Sequence, residues 1–276
     1  MSTTALALAI AAAMLHASWN LAVKASGDRL VAACAQATFG AVVFLPFLVV
    51  GGIPHGALTP ALASSVCHVA YYLGLVTSYR HADISIAYPV ARGSAPMLVA
   101  IGGTVIVGDH LNALSWIGIV IVSTSLLALA VHLRDWHQLK WPLLTGVIIS
   151  TYTLIDASAT RRMGDERMGY VALLFALTIV GFIPLVANRR GTRVLLDTVR
   201  AGWIRLAVAG TASVTSYALV LIAATHAPVG TVAAVRETSV VFAVLGGRIL
   251  LREDVRARRA LSAVGVAAGA VILAFA

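Results

Sequence analysis

Charged side chains are scarce in this sequence. They make up 11% of the 276 residues, against 60% hydrophobic residues and a mean hydropathy of +0.93. A soluble domain contains about 25% charged residues, so this chain lacks the polar surface that folding in water requires. Long hydrophilic segments are missing as well. Apolar stretches of about 20 residues, enough to cross a ~30 Å hydrocarbon core, recur along the whole length and predict an all-α integral membrane protein.

Other absences narrow the function. Only two cysteines occur, Cys34 and Cys67, and both lie inside apolar runs, which is typical of small residues at helix contacts rather than of a disulfide or metal pair. The sequence has no His/Cys/Glu metal spacing, no Gly-x-Ser-x-Gly, no glycine-rich phosphate loop and no two carboxylates on one helix face. We therefore expect no cofactor, no metal and no catalytic residues. The runs also lack the two-residue alternation of outer-membrane strands.

The apolar runs predict ten transmembrane helices. Glycine, proline and charged residues mark their ends, and the first run is interpreted as a helix rather than a cleaved signal because it has no basic start. The predicted spans are 3–23, 30–51, 59–79, 84–107, 112–132, 142–160, 168–187, 203–225, 229–250 and 260–276.

Basic residues outnumber acidic ones by 20 to 11, a net charge of +9. Fifteen of the twenty lie near the loops after spans 1, 3, 5, 7 and 9, and three (Arg161, Arg162 and Arg167) lie at the opposite loops. Because these residues lie between apolar runs, they indicate the positive-inside rule rather than a nucleic-acid partner. The bias predicts a multi-pass protein of the plasma (bacterial inner) membrane with both termini outside the cytoplasm.

The second half of the sequence repeats the first around spans 4 and 9. At an offset of 144 residues, Arg92 falls on Arg236, the pair Gly102-Gly103 on Gly246-Gly247, and Asp109 on Glu253. An odd number of helices in each repeat forces the two copies into opposite orientations. We therefore predict two inverted five-helix repeats, residues 1–133 and 142–276, joined by a linker at 134–141.

These two halves resemble the drug/metabolite transporter superfamily, specifically its EamA-type members. Each half in that family ends with a small-residue helix 4, an acidic residue and a glycine-bearing helix 5, as in Ala91-Arg-Gly-Ser-Ala-Pro96 followed by Asp109 and Gly118. The opening Leu15-His-Ala-Ser-Trp-Asn-Leu-Ala-Val-Lys24 is similar to a subgroup of which some members are associated with phosphonate utilisation. The resemblance implies a ten-helix transporter. The predicted outside termini depart from the many members that have cytoplasmic termini.

Two arginines are predicted near the centre of the membrane. A charge there costs about 2.5–3.5 kcal/mol and marks a functional site by default. Arg92 and Arg236 each lie about nine residues, or ~13 Å, into their helices. Guanidinium groups bind carboxylate and phosphoryl groups bidentately, which predicts an anion-binding site. The alternative is a structural pair that Asp156, Glu237 or backbone carbonyls neutralise.

Glu237 and Asp156 are the candidates for proton coupling, because a carboxyl group inside the membrane is suited to bind and release a proton. Asp156 lies near its helix end, so snorkelling to the interface is an alternative. Glu237 adjoins Arg236, but neighbouring residues in a helix point about 100° apart and need not pair.

Further polar residues share helix faces with these groups and are candidates to line the substrate site. Tyr88 lies on the face of Arg92 by the four-residue spacing. A histidine among apolar residues can equally be a hydrogen-bonded packing residue. The remaining candidates come from spans 1, 3 and 8 and are His16, Trp19, Asn20, His68, Tyr72 and Tyr217.

The sequence thus predicts a secondary transporter that moves a small polar or zwitterionic metabolite, amino-acid-like or phosphonate-like, by alternating access. The alternatives are a lipid flippase of the same fold and, less favoured by the missing motifs, a membrane-embedded enzyme. The expected partners are a small-molecule substrate and the lipid bilayer. Gly265-x-x-x-Gly269 permits close helix contact, either within the bundle or in a homodimer, so monomer and homodimer both remain open.

Overall fold

The computed structural model describes residues 1–24, 28–130, 136–250 and 256–276, and within these ranges the chain is helical. The helices are α1 (Thr3–Lys24), α2 (Arg29–Gly51), α3 (Leu58–His81), α4 (Ile84–Gly102, extended by a π-helical turn at Gly103–Val107), α5 (Ala113–Leu127), α6 (Trp136–Arg162), α7 (Arg167–Arg190), α8 (Thr192–Ala223), α9 (Val229–Arg236), α10 (Ser239–Leu250) and α11 (Ala257–Ala274).

Local chemistry fixes several helix ends. The Asp28 carboxylate accepts a hydrogen bond from the Leu30 backbone N–H at 2.9 Å and so caps α2. Asn112 caps α5 in the same way, through the Ser115 N–H at 2.8 Å. Gly191 alone separates α7 from α8, at a φ of 89° that glycine adopts without steric cost. These caps and the single glycine mark where one helix ends and the next begins.

The helices are built to cross a membrane. In the part of the chain that the structure describes, nine helical stretches are long and apolar enough to span a bilayer, and α1 is a further apolar helix of 22 residues. Large apolar side chains cover their outer surface; Val50, Val105 and Ile249, for example, are 88%, 78% and 72% exposed. Such a surface is stable only against lipid. The predicted all-α multi-pass membrane protein is confirmed.

Two predicted boundaries are wrong. Helix α6 begins at Trp136, so residues 136–141, which we assigned to the linker, form its first turns; residues 134–135 lie outside the described ranges. Helix α8 begins at Thr192 rather than 203, and Gly202, with φ −155° and ψ 33°, interrupts it. The charged residues Arg193 and Arg200 gave this amphipathic stretch the appearance of a loop.

The ninth span is discontinuous. Instead of one helix over 229–250, α9 ends at Arg236 and α10 begins at Ser239, with Glu237 and Thr238 in a turn between them. The backbone bonds at the break join residues three apart, such as Glu237 N–H to Ala234 O at 3.0 Å. The break is thus a short turn with the hydrogen bonding of a 3₁₀-helix, in which Arg236 is the last residue of α9 and Glu237 lies in the turn.

Helices from the two halves alternate in the bundle. Helix α1 packs on α8, α2 on α7 and α8, α3 on α6 and α7, α4 on α6 and α9, and α5 on α11. When the spans are numbered one to ten, the pair 1–8 corresponds to 3–6 under a shift of five, and the pair 2–8 corresponds to 3–7. This pattern supports two related repeats, which stay a prediction. Glu253, the predicted counterpart of Asp109, lies outside the described residues.

Glycines permit the closest of these contacts. A Cβ on Gly210 of α8 would overlap the Gln36 carbonyl oxygen of α2, and one on Gly269 of α11 would lie 2.9 Å from the Gly118 carbonyl oxygen of α5. In both cases the backbones approach too closely for any larger residue. The Gly265-x-x-x-Gly269 motif therefore packs against α5 of the same chain.

Candidate functional site

Two arginines from α4 and α9 meet at a single carboxylate. Glu237 Oε2 accepts a hydrogen bond from Arg92 Nε at 3.0 Å, and its Oε1 lies 3.6 Å from Arg236 Nη2. The side chains are 5%, 0% and 6% exposed for Arg92, Glu237 and Arg236 respectively. The structure therefore brings the two predicted arginines together, with Glu237 as their shared counter-ion. The sequence left open whether Asp156, Glu237 or backbone carbonyls neutralise these arginines, and the structure shows Glu237 in this position.

The triad of Arg92, Glu237 and Arg236 carries a net charge of +1 and contains unused hydrogen-bonding atoms. Arg92 Nη2, Arg236 Nε and Glu237 Oε1 are buried and have no hydrogen-bond partner among the described residues. Unpaired buried polar atoms of this kind cost about 1–3 kcal/mol each and call for an explanation. Two donors and one acceptor in one place can bind an anionic group and an amine together.

The predicted residues of α1 and α4 surround this triad. His16 lies within electrostatic range of both Arg92 and Arg236, and its ring meets that of Trp19 edge-on at 5.0 Å. Trp19 Nε1 is another buried donor without a partner in the described ranges. The Tyr88 ring lies 5.9 Å from the Arg92 guanidinium carbon, a cation–π contact.

Asn20 forms a hydrogen bond within α1. Its Nδ2 donates to the His16 backbone oxygen at 2.8 Å, so the side chain is engaged within its own helix.

A second polar cluster forms around Asp156 of α6. Its carboxylate is fully buried and accepts three hydrogen bonds, from Tyr217 at 2.5 Å, Tyr170 at 2.6 Å and Ser64 at 2.8 Å. The proposed snorkelling of Asp156 to the interface is therefore wrong. Three hydroxyl donors from α8, α7 and α3 stabilise the charge in place, and they tie four helices to one carboxylate.

His68 joins this cluster and Tyr72 does not. The Ser64 hydroxyl lies 3.2 Å from His68 Nδ1, and the His68 ring packs 4.1 Å from the Tyr152 ring. Tyr72 instead stacks on Phe182 of α7 at 4.5 Å. Tyr152 lies within electrostatic range of Asp156 and of all three groups of the triad.

Two residues, Tyr170 and Arg161, were not predicted from the sequence as part of these clusters. Tyr170 gave no signal because it lies near the start of an apolar helix, and only the fold places it on Asp156. Arg161 was counted only as a loop charge. It donates to Asp109 at 2.7 Å and to the backbone oxygens of Ala224 and Ala227 at 2.8 and 3.1 Å.

Asp109 in turn accepts from the Val229 N–H at 2.7 Å. The ends of α4 and α6 and the start of α9 are thereby fastened together, which we call the Arg161 clamp. Across the described part of the chain, no cluster of three His, Cys, Asp or Glu residues is arranged to hold a metal ion.

Comparison with known proteins gives the family. Residues 139–275 match the model of the EamA-like transporter family, whereas no curated protein matches the sequence. Among 28 matching solved chains, one crystal structure superposes with a TM-score of 0.77 at 14% identity, over 99% of this chain and 96% of the other; the two share the fold. By its second half, residues 139–275, the chain belongs to the EamA-like transporter family, a family of membrane transporters, as the resemblance predicted.

Proposed function

We propose that the protein is a secondary active transporter of a small polar or zwitterionic metabolite, amino-acid-like or phosphonate-like, which binds at the triad of Arg92, Glu237 and Arg236. The main support for this proposal is the composition of that triad. Two buried guanidinium groups share one carboxylate, and each arginine has a donor without a hydrogen-bond partner among the described residues. The excess positive charge attracts a carboxylate or phosphonate group, which guanidinium groups bind bidentately. The free Glu237 oxygen accepts from an amine on the same molecule.

The position of the triad favours alternating access between the two halves. Arg92 comes from the first half and Arg236 and Glu237 from the second, and the ninth span is broken at this point. A substrate held between the halves would become accessible from the other side of the membrane when one half rocks against the other. These side chains are at most 6% exposed, so a substrate reaches them only when the two halves move apart.

Proton coupling is assigned to Glu237 and Asp156. Glu237 either carries a proton or pairs as a carboxylate with its arginines and the substrate. Asp156 accepts a hydrogen bond from Ser64, and the Ser64 hydroxyl also contacts His68. Protonating either carboxyl group would remove contacts between helices of opposite halves. A proton can therefore change the relative stability of the two access states.

The test is a panel of amino acids, amines, phosphonates and dicarboxylates, screened by thermal shift on purified protein and then by uptake into proteoliposomes. Arg92→Gln and Arg236→Gln should each weaken binding of a hit by roughly tenfold or more, the loss of a charged hydrogen bond of ~1.5–3 kcal/mol. The control is Arg248→Gln, which removes an exposed arginine from α10. If all three variants bind the hit like the native protein, the triad is not the site.

Coupling is tested in the same vesicles with Glu237→Gln and Asp156→Asn, with Asp165→Asn as the matched exposed control. Uptake by the native protein and the control should respond to an imposed proton gradient, and uptake by at least one of the two buried variants should not. Native uptake that ignores the gradient would refute proton coupling and leave substrate binding intact. A hit among lipids alone would favour the flippase.

A further inference from the structure

A second basic site lies at one end of the bundle, away from the triad. A cavity of about 240 Å³ opens between the start of α2 and the ends of α3 and α7. A cavity of this size has room for water or a phosphate group. Its lining divides into an apolar wall and a basic rim and consists of Leu30, Leu73, Val76, Thr77, Arg80, Arg189 and Arg190.

The rim has more positive charge than the protein neutralises. Arg190 Nε pairs with Asp28 Oδ2 at 2.8 Å. Within the described ranges, Arg80 and Arg189 form no ion pair. The cavity is therefore lined by three arginines, of which only Arg190 is paired with a carboxylate, and the other oxygen of that carboxylate caps α2. Guanidinium forks placed in this way match the oxygens of a phosphate group.

The neighbouring segment of α8 places this cavity at the depth of lipid headgroups. Residues 192–201 form an amphipathic stretch: Leu195 packs on the bundle, whereas Arg193 and Arg200 are 94% and 77% exposed. Directly after the kink at Gly202, Trp203 is 57% exposed. Charged residues followed by an exposed tryptophan are typical of the boundary between headgroups and acyl chains.

We infer that this cavity binds the phosphate group of an anionic phospholipid. Arg80 and Arg189 contact the phosphate oxygens, and the wall of Leu30, Leu73 and Val76 contacts the glycerol and first acyl carbons. Basic pockets between transmembrane helices bind anionic headgroups by this chemistry. The bound lipid would link the ends of α3 and α7, which belong to opposite halves of the chain.

Delipidated protein in neutral detergent provides the test, with binding followed by native mass spectrometry and thermal shift. The probes are dioleoyl phosphatidylglycerol, dioleoyl phosphatidylcholine and inorganic phosphate. Two double variants are compared: Arg80→Gln with Arg189→Gln, and, as a control of equal charge loss, Arg258→Gln with Arg259→Gln at the exposed start of α11. If the first pair does not fold, Arg189→Gln alone replaces it.

We expect the native protein to prefer phosphatidylglycerol over phosphatidylcholine. The cavity variant should bind phosphatidylglycerol roughly thirtyfold more weakly, at about 1 kcal/mol per arginine, and the control should bind like the native protein. Equal losses in both variants would show diffuse attraction and overturn the site. Inorganic phosphate that binds as tightly as the lipid would overturn the lipid assignment in favour of a free anion.

Discussion

Replacing Glu237 by glutamine should destabilise the protein strongly, because it leaves two buried arginines without a counter-ion. Glu237 is fully buried and lies 3.0 Å from Arg92 Nε and 3.6 Å from Arg236 Nη2. At an effective dielectric constant of about 20, each charge pair attracts by roughly 4 kcal/mol at ~4 Å. Removing one partner of a buried pair costs about 3–5 kcal/mol after desolvation is included. The amide oxygen of glutamine still accepts from Arg92, so we expect the lower end, ~3 kcal/mol.

The measurement is a denaturant titration of purified protein in mixed micelles, completed as a double-mutant cycle with Arg92→Gln. The double variant should be less destabilised than the sum of the single variants, with a coupling energy of about 1–3 kcal/mol. Glu166→Gln, at an exposed turn, is the control and should change the free energy of unfolding by no more than ~0.5 kcal/mol. A Glu237→Gln protein as stable as the native one, or strict additivity in the cycle, would refute the shared counter-ion.

Three further predictions concern the other contacts. Tyr217→Phe removes one of the three donors to Asp156 and should lower the free energy of unfolding by about 1.5–3 kcal/mol, measured by the same titration. Arg161→Gln opens the Arg161 clamp, and hydrogen exchange at amides 224–229 should accelerate roughly tenfold or more. Gly210→Val overpacks the contact between α8 and α2 and should destabilise by about 1–3 kcal/mol, whereas Gly181→Val should be tolerated because only one atom lies near its added Cβ.

Controls for two of these come from neighbouring residues. Among the described residues, the hydrogen bond of Arg162 goes to Ser158 of its own helix, so Arg162→Gln should leave exchange at 224–229 unchanged. Equal acceleration in both arginine variants would contradict the clamp. Tyr79 is a partner of Arg29 through its ring, and Tyr79→Phe keeps that ring. If Tyr79→Phe lowered the free energy of unfolding as much as Tyr217→Phe does, the hydrogen bond from Tyr217 to Asp156 would contribute nothing specific.

The sequence was sufficient to predict the membrane-spanning helices, apart from the two boundaries and the break described above. Runs of about 20 apolar residues have one stable solution in a bilayer, and counting along those runs placed Arg92 and Arg236 near the midplane. Contacts between helices were harder to predict, because a helix face shows which residues share a side but not which neighbour covers it. The sequence singled out His68 and Asp156 separately, but not the Ser64 hydroxyl that bonds to Asp156 across 92 positions of the chain.

The errors have local causes. Asp156 was placed near the interface because hydropathy ends the helix at 160, whereas α6 continues to Arg162 and Tyr170 folds back onto the carboxylate. The ninth span looked continuous because no proline or glycine lies at 236–239. Its break follows from packing that brings Glu237 to Arg92, and no local signal encodes it.

The contact between Arg92 and Glu237 also has a consequence for how the protein is made. The two residues are 145 positions apart, so at about 5–20 residues per second Arg92 is synthesised roughly 7–30 s before its counter-ion. The clamp between Asp109 and Arg161 likewise waits for the second half. A nascent chain truncated before residue 237 leaves Arg92 without its carboxylate, a defect that cellular proteases can act on. The charge of Arg92 is thus paired only after the ninth span has been synthesised.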